Sequence, residues 1–567
     1  MNRFSKSILL IINITIAVSP SLFAQSGTSA ETLPQSVTFW SDYPAETLAR
    51  TIVERMSDAE CLSQIFMFGW AGAEPEQLLY DWVSRGLGSV KVFGWNTDDI
   101  RLVASSVFSL QRSASQTRFK IPLFVATDQE GGWIRHVKGE TSITPGNMAI
   151  GAAGYPVDAW YSAYYISREI KALGINMNFA PTVDLFTDRT SSIIGPRSFG
   201  DNPEHAGILG AAFSAGSVAA GVIPTAKHFP GHGDTDGDSH VKLPEIDIDE
   251  KTFTHRELVP FEYLVRQKIP AIMSGHLSFP KIDSSGAPAS LSKYFLTDLL
   301  RGKLGFDGLI ITDDMMMNGD TLYAGSLTNA FYLAITAGND ILISSTTARL
   351  NEPLWAVNLE RMKTDAAFRE RVKDAAYRVL KAKLVYFKSG NAAPLYPDAA
   401  SIGKYIPDKE GEKFFFEQAC RSITLYKKGT VPLSSRDAGR VLLVGSLSRF
   451  FTEGKRRYAS SGDYRFPSEP GPNETQYMCD HILESAAPYN TVVCCVSNAQ
   501  SARIARTLKG SGKKVVIFSI MSPEHALEFG WADSVVMGYS WSAYTFDAMF
   551  GALAGEYEAQ GTLPFKP

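Results

Sequence analysis

Between residues 64 and 345 of this 567-residue chain, eight short apolar runs recur, each followed by a stretch with helical periodicity. They occupy residues 64–69, 88–94, 122–128, 176–181, 222–228, 271–276, 308–313 and 340–345. Runs of this length, bounded by glycine and proline as in Gly308-Leu309-Ile310-Ile311-Thr312-Asp313, read as strands covered on both faces. The intervals hold amphipathic segments such as residues 158–173 and 294–304. Eight strands alternating with helices predict an α/β chain with a TIM-like (β/α)8 barrel. A doubly wound open sheet satisfies the same count, so the placement of polar residues has to decide. Asp128, Asp184, His228, His276 and Asp313 all fall at or just beyond the C-terminal ends of runs. A barrel gathers those ends on one face, whereas an open sheet spreads them along an edge. The barrel is therefore expected, over residues 40–388.

Residues 374–384 read as a basic amphipathic helix that closes this region, and residues 389–409, rich in proline and glycine, read as a linker. Residues 410–567 form the expected second unit, a smaller α/β sandwich domain with strand-like runs at 441–445, 491–496, 515–518 and 534–537. Residues 454–475, with their charge, proline and glycine, are expected to be a long loop. At the other end, Arg3 and Lys6 precede an apolar run, Ile8 to Val18, and small residues surround Ala24. That pattern reads as a secretory signal over residues 1–24, which implies export to a periplasm or medium and no stable membrane insertion after cleavage; an uncleaved membrane anchor is the competing reading.

A hydrophobic content of 45% with 20% charged residues is that of a soluble globular chain, and a net charge of −4 without a basic stripe excludes nucleic acid as a partner. The five cysteines are few and odd in number; Cys494 and Cys495 sit inside an apolar run and read as small core residues.

Chemistry concentrates in Lys227-His228-Phe229-Pro230-Gly231-His232-Gly233-Asp234-Thr235-Asp236-Gly237-Asp238-Ser239-His240, which holds three of the nine histidines in the chain. Asp234, Asp236, Asp238 and Glu245 have the spacing of a calcium loop. Ser239 stands where that loop needs glycine, Pro244 precedes the glutamate, and the flanking helices are missing, so no metal is expected. Asp238 and His240, two residues apart, suit proton transfer instead, since a carboxylate that orients an imidazole makes a general acid/base near neutral pH. Asp313, delivered by a core strand and followed by Met315, Met316 and Met317, is a candidate nucleophile or base, and its neighbour Asp314 is free to cap.

Residues 227–240 resemble the signature of bacterial β-N-acetylglucosaminidases of glycoside hydrolase family 3. The resemblance extends to Asp128-Gln129-Glu130-Gly131-Gly132, Asn178-Phe179-Ala180-Pro181 with Asp184, Ile194 to Gly200, and Gly305-Phe306-Asp307-Gly308 leading into Asp313. It spans residues 56–384, and Gly561-Thr562-Leu563-Pro564 resembles the family's end. It implies a retaining, exo-acting hydrolase of terminal β-linked N-acetylglucosamine in peptidoglycan fragments or chitin-like oligosaccharides, working without a cofactor. By the same resemblance Asp313 is the nucleophile, His240 the acid/base and Asp238 its partner, while Asp128, Arg197, Lys227 and His228 hold sugar hydroxyls. One position departs from the family pattern: His136 stands where an arginine is usual, and Arg135 lies one residue earlier. A β-glucosidase or glycoside phosphorylase on the same fold, and a non-catalytic sugar-binding protein, are the competing readings; oligomeric state is left open.

Overall fold

The computed structural model describes residues 33–34, 36–191, 193–235 and 243–567. The expected signal segment, and Asp238 and His240, lie outside the described residues.

Eight parallel strands close into a barrel: β1 (Phe66–Phe68), β2 (Ser89–Lys91), β3 (Phe124–Thr127), β4 (Met177–Asn178), β5 (Ile223–Phe229), β6 (Ala271–Ser274), β7 (Leu309–Asp314) and β8 (Ile341–Ser344). Each pairs with its neighbours in chain order and β8 returns to β1, so the barrel has no free edge. All eight apolar runs become these strands, most of them trimmed at their ends, while β5 and β7 reach one residue further, to Phe229 and Asp314. The backbone polar groups are spent in the ladder while the side chains face either the barrel interior or the helices. A short antiparallel ribbon, Gln129–Gly131 with Ile134–Arg135, hangs on the end of β3.

The outer helices bury one stripe each. In α1 (Pro156–Ala172) the buried set includes Ala159, Ala163, Ile166 and Ile170, at helical spacing; α2 (Pro203–Ala220) packs beside it through Leu209 and Phe213. The expected closing helix is longer than its basic core, running as α3 (Ala366–Phe387). Within the predicted linker, residues 399–404 make a helical turn with Ile402 buried.

The second sheet is mostly parallel, in the order β9 (Thr424–Lys427), β14 (Ser534–Met537), β13 (Lys514–Ser519), β12 (Thr491–Val496), β10 (Val441–Gly445), β11 (Gly462–Arg465). Only β9 is antiparallel. The long loop expected at residues 454–475 is not one: it contains the end of a helix, Ser448–Arg457, then edge strand β11 and the start of helix Pro472–Ala486. Its charged residues alternate along a half-exposed edge, which carries no apolar run to betray it. The described cysteines are free thiols, with Cys494 and Cys495 in the core.

Barrel and second sheet belong to one compact unit, Thr38–Pro567. Helix α4 (Lys409–Ser422) joins them, its Arg421 forming two bonds, 2.7 and 3.0 Å, to buried Asp158 of α1. The final residues fold back on the barrel loops. Thr562 donates its backbone N–H to Ala152 O at 3.0 Å, Asp201 N–H reaches Pro564 O at 3.1 Å, and Phe565 sets its ring edge-on to Phe186.

A candidate active site at the barrel mouth

Parallel closure puts the C-terminal ends of all eight strands on one face, and the charged residues collect there. Asp128 follows β3, Lys227 and His228 lie near the end of β5, and Asp313 and Asp314 end β7. Asp184 sits in the loop beyond β4, and Arg197 ends the short turn Gly195–Arg197.

Charges of opposite sign alternate through this cluster. Lys227 Nζ lies 2.5 Å from Asp128 Oδ1 and 2.7 Å from Glu130 Oε1. Lys91 Nζ reaches the other Asp128 oxygen at 2.9 Å. Arg197 grips Glu130 with two bonds, 2.8 and 3.0 Å. Burial opposes ionisation of Asp128, but Lys227 and Lys91 overcome it and hold the carboxyl well below its usual range. Glu130, equally buried, is held down to about 2 against its own burial by Arg197 and Lys227. Glu130 thus fixes two cations in place, and Asp128 bridges Lys227 and Lys91 with its two oxygens.

Asp184 organises the histidine loop. It accepts from the backbone N–H groups of His228 (3.1 Å) and His232 (2.7 Å), and from His228 Nδ1 at 2.6 Å. A carboxylate only accepts, so Nδ1 carries the proton and Nε2 of His228 is turned toward Arg197 (3.4 Å) and Asp313 (4.0 Å). The loop needs its glycines: a Cβ on Gly231, where φ is +135°, would meet Glu257 Oε2 at 2.7 Å, and one on Gly233 would meet Leu185 O at 2.2 Å. Asp234 accepts from Arg256 at 2.5 Å, and His232 Nδ1 lies 2.9 Å from Thr235 Oγ1. Burial pushes His232 down to about 4, so the imidazole is neutral in this loop at neutral pH. The chain then leads to Asp238 and His240, beyond the described residues.

The two adjacent aspartates have separate surroundings. Asp314 Oδ1 accepts from Met316 N–H (3.1 Å) and Ser345 N–H (3.0 Å), which shapes the turn after β7. Asp313 Oδ1 accepts the N–H of Asp314 at 2.7 Å, and the side chain keeps 22% exposure. Burial would raise its carboxyl, yet the positive field of His228, His276, Lys91 and Lys227 outweighs it and holds Asp313 down to about 2. Behind it lies a fully buried pair: His276 Nδ1 is 2.9 Å from both Asp320 Oδ2 and Ser290 Oγ, and Nε2 donates to Asp314 O at 3.1 Å. Burial works against the charge on His276, but Asp320 prevails and pushes it up to about 9.

Asp128, Arg197, Lys227, His228 and Asp313, picked out from sequence, thus come together in one cluster. Sequence reading overlooked Lys91, although a lysine inside the apolar run Ser89-Val90-Lys91-Val92-Phe93 is itself a signal of a buried partner. At the departing position, His136 Nδ1 lies 3.5 Å from Asp128 Oδ2, and burial pushes the ring down to about 4. Lys91 supplies the positive charge that a neutral His136 does not. Among the described residues no group of histidine, cysteine or carboxylate side chains is arranged to hold a metal ion.

An ionised, partly exposed carboxylate beside a cluster of charged hydrogen-bonding side chains at a barrel mouth is equipment suited to a carbohydrate-active barrel. Residues 62–382 match the glycosyl hydrolase family 3 N-terminal domain, and the chain belongs to that family. Beta-hexosaminidase A of Pseudoalteromonas piscicida is 34% identical over 329 residues, 54% of this chain and 54% of that protein, so the match spans about half the length of that relative. Beta-hexosaminidase of Pseudomonas aeruginosa strain LESB58 is 35% identical over 314 residues, 54% of this chain and 89% of that protein. Among solved structures, a glycoside hydrolase family 3 β-N-acetylglucosaminidase from Paenibacillus sp. str. FPU-7 superposes with a TM-score of 0.79 at 26% identity, covering 90% of this chain and 99% of that one.

Proposed function

We propose that this protein is an exo-acting, retaining β-N-acetylglucosaminidase that removes terminal β-linked N-acetylglucosamine from peptidoglycan fragments or chitin-like oligosaccharides. The observation that carries the reading is Asp313: a carboxylate open to the barrel mouth, ionised at neutral pH, with one oxygen uncommitted and hydroxyl-binding charges close by. Its Oδ2 attacks the anomeric carbon, the glycosidic C–O bond breaks, and a glycosyl ester forms on Asp313. His240, oriented by Asp238, gives its proton to the leaving oxygen and then takes one from the water that hydrolyses the ester. Asp128, Arg197, Lys227 and His228 hold the sugar's hydroxyls, and His228, donating to Asp184, is fixed in the ring orientation that this needs. The hexosaminidase names of the relatives support the substrate class.

Asp313→Ala should lower kcat/KM on a chromogenic β-N-acetylglucosaminide by more than about a thousandfold. Turnover of the matching β-glucoside alone by the unaltered protein, or a release rate that depends on added phosphate, would replace the reading with a glucosidase or phosphorylase. We read residues 1–24 as a secretory signal that delivers the enzyme to the periplasm or medium. N-terminal sequencing of the exported protein should then begin at Gln25; protein retained in the cytosol with Met1 intact overturns it.

A further inference from the structure

Behind Asp313 the barrel buries a charge that meets neither sugar nor solvent. The side chains of His276 and Asp320 have no exposed surface. The fold brings them together from separate elements. Ser274 of β6 is in register with Thr312 of β7, which sets His276 beside the turn that β7 runs into. Asp320 belongs to the helix Asn318–Ala324 that follows this turn.

The hydrogen bonds decide how many protons the ring carries. Nε2 lies 3.1 Å from Asp314 O, and a carbonyl only accepts. Nδ1 lies 2.9 Å from Asp320 Oδ2, and an ionised carboxylate likewise only accepts. Ser290 Oγ, also 2.9 Å from Nδ1, spends its single proton on Asp320, whose oxygens are 3.0 and 2.9 Å away. It has only lone pairs left for the ring. Asn339 keeps that serine in place, donating from Nδ2 to Ser290 O at 2.8 Å. Both ring nitrogens therefore face acceptors, and an imidazolium with two donating N–H groups satisfies them. Burial opposes this charge, yet Asp320 outweighs it and pushes the ring up to about 9.

The charge has a direction. Asp320 lies on the Nδ1 side, whereas the Nε2 side faces the backbone of Asp314, next to Asp313. His276 acts on Asp313 together with His228, Lys91 and Lys227. Lys227 and His228 hold hydroxyls in the proposed reaction, and Lys91 is tied to Asp128. His276 is out of the substrate's reach, and its buried charge is little screened. Such a fixed cation has opposite effects on the two halves of a retaining reaction. During attack Asp313 gives up negative charge, so the cation favours the starting state. During hydrolysis the ester C–O bond breaks and its electron pair returns to Asp313, while water adds to the anomeric carbon and passes a proton to His240. Negative charge then grows on Asp313, and the cation stabilises that transition state.

We propose that His276, held by Asp320, is a positioning residue for the second half of the reaction: its fixed charge draws the electron pair back onto Asp313 and speeds hydrolysis of the glycosyl ester. The inference rests on the reading of Asp313 as nucleophile and adds how the protein divides its rate between the two steps.

The test uses 5-fluoro-β-N-acetylglucosaminyl fluoride, whose ring fluorine slows both steps while its fluoride leaving group lets attack outrun hydrolysis. Loss of activity on a chromogenic β-N-acetylglucosaminide reports attack. Its return after the excess reagent is removed reports hydrolysis. In Asp320→Asn burial favours a neutral His276, with Nε2–H still on Asp314 O. Return of activity should slow by about tenfold, with attack not slowed. His276→Gln, a second variant that keeps a donor without the charge, should do the same. Ser290→Ala removes a bond from the pair but not its charge, and should leave both rates within about twofold. Unchanged return in the two charge variants, equal slowing of both steps, or the same slow return in Ser290→Ala overturns the proposal and leaves Asp313 as nucleophile. Unaltered protein that the reagent does not label on Asp313 overturns the glycosidase reading as well.

Discussion

Single residues in this mouth are defined by what surrounds them more than by their own chemistry. Asp313 and Asp314 are chemically the same side chain. One shapes a turn through two backbone N–H groups, and the other turns Oδ2 toward His228, which among the described residues comes no nearer than 4.0 Å. His276 is the residue whose role depends most on its partners, since Asp320 keeps it protonated in a site where burial alone would neutralise it. Its pKa of about 9 in the folded protein lies above the ordinary value of 6.5. The native state therefore holds a proton that the unfolded chain releases between those two values. Stability from this pair is full below pH 6.5 and is lost as pH rises through about 9, on the order of 3 kcal/mol. Urea unfolding of the unaltered protein and of Asp320→Asn at pH 6.5 and pH 9 measures it. The difference between the two proteins should shrink at the higher pH, and a difference that stays constant refutes the assignment.

At the scale of elements, the eight apolar runs were legible as strands because a barrel strand, covered on both faces, has to be apolar over its whole length. Edge strands β9 and β11 were not, because Thr424–Lys427 and Gly462–Arg465 leave alternate side chains in water. What holds the elements in register at the far end of the barrel is equally invisible in a periodicity. Fully buried Asp340, just before β8, accepts from Arg301 at 2.5 Å, from Arg371 of α3 at 3.0 Å and from the Ile310 N–H of β7 at 2.9 Å. Asp340→Ala leaves two largely buried guanidinium groups without their shared partner and should cost about 3 kcal/mol. The urea midpoint reports this, and a loss below about 1 kcal/mol, the size of a surface ion pair, would sink the assignment.

Over the whole molecule, the second sheet reaches the active site through the last residues of the chain. Phe565 packs on Phe186, Pro564 O accepts from Asp201, and a Cβ on Gly200 would approach Pro564 O to 2.0 Å, so the tail lies directly on the loop that follows Arg197. Phe565→Ala should lower stability by about 3 kcal/mol. It should also raise KM, because Arg197 loses the support of its loop while Asp313 on β7 does not. Thermal unfolding and steady-state kinetics on one preparation separate the two effects; a fall in kcat at constant KM would contradict this route.

Asp128, His228 and Asp313 were recognisable in the chain because each stands at or just beyond the end of an apolar run, whereas Arg197 was picked out through the family resemblance and Lys91, inside a run, was overlooked. Strand number followed from the same runs, and the barrel from the polar residues gathered at their C-terminal ends. The pairings within the site were not recoverable that way. Lys91 lies on β2, Lys227 on β5 and Asp128 just beyond β3, and which cation neutralises which carboxylate is a property of distance through space. Only closure of the sheet brings those side chains within 2.5 to 2.9 Å of one another. Burial then makes such pairing obligatory, since an unpartnered charge at that depth costs more than the fold can sustain.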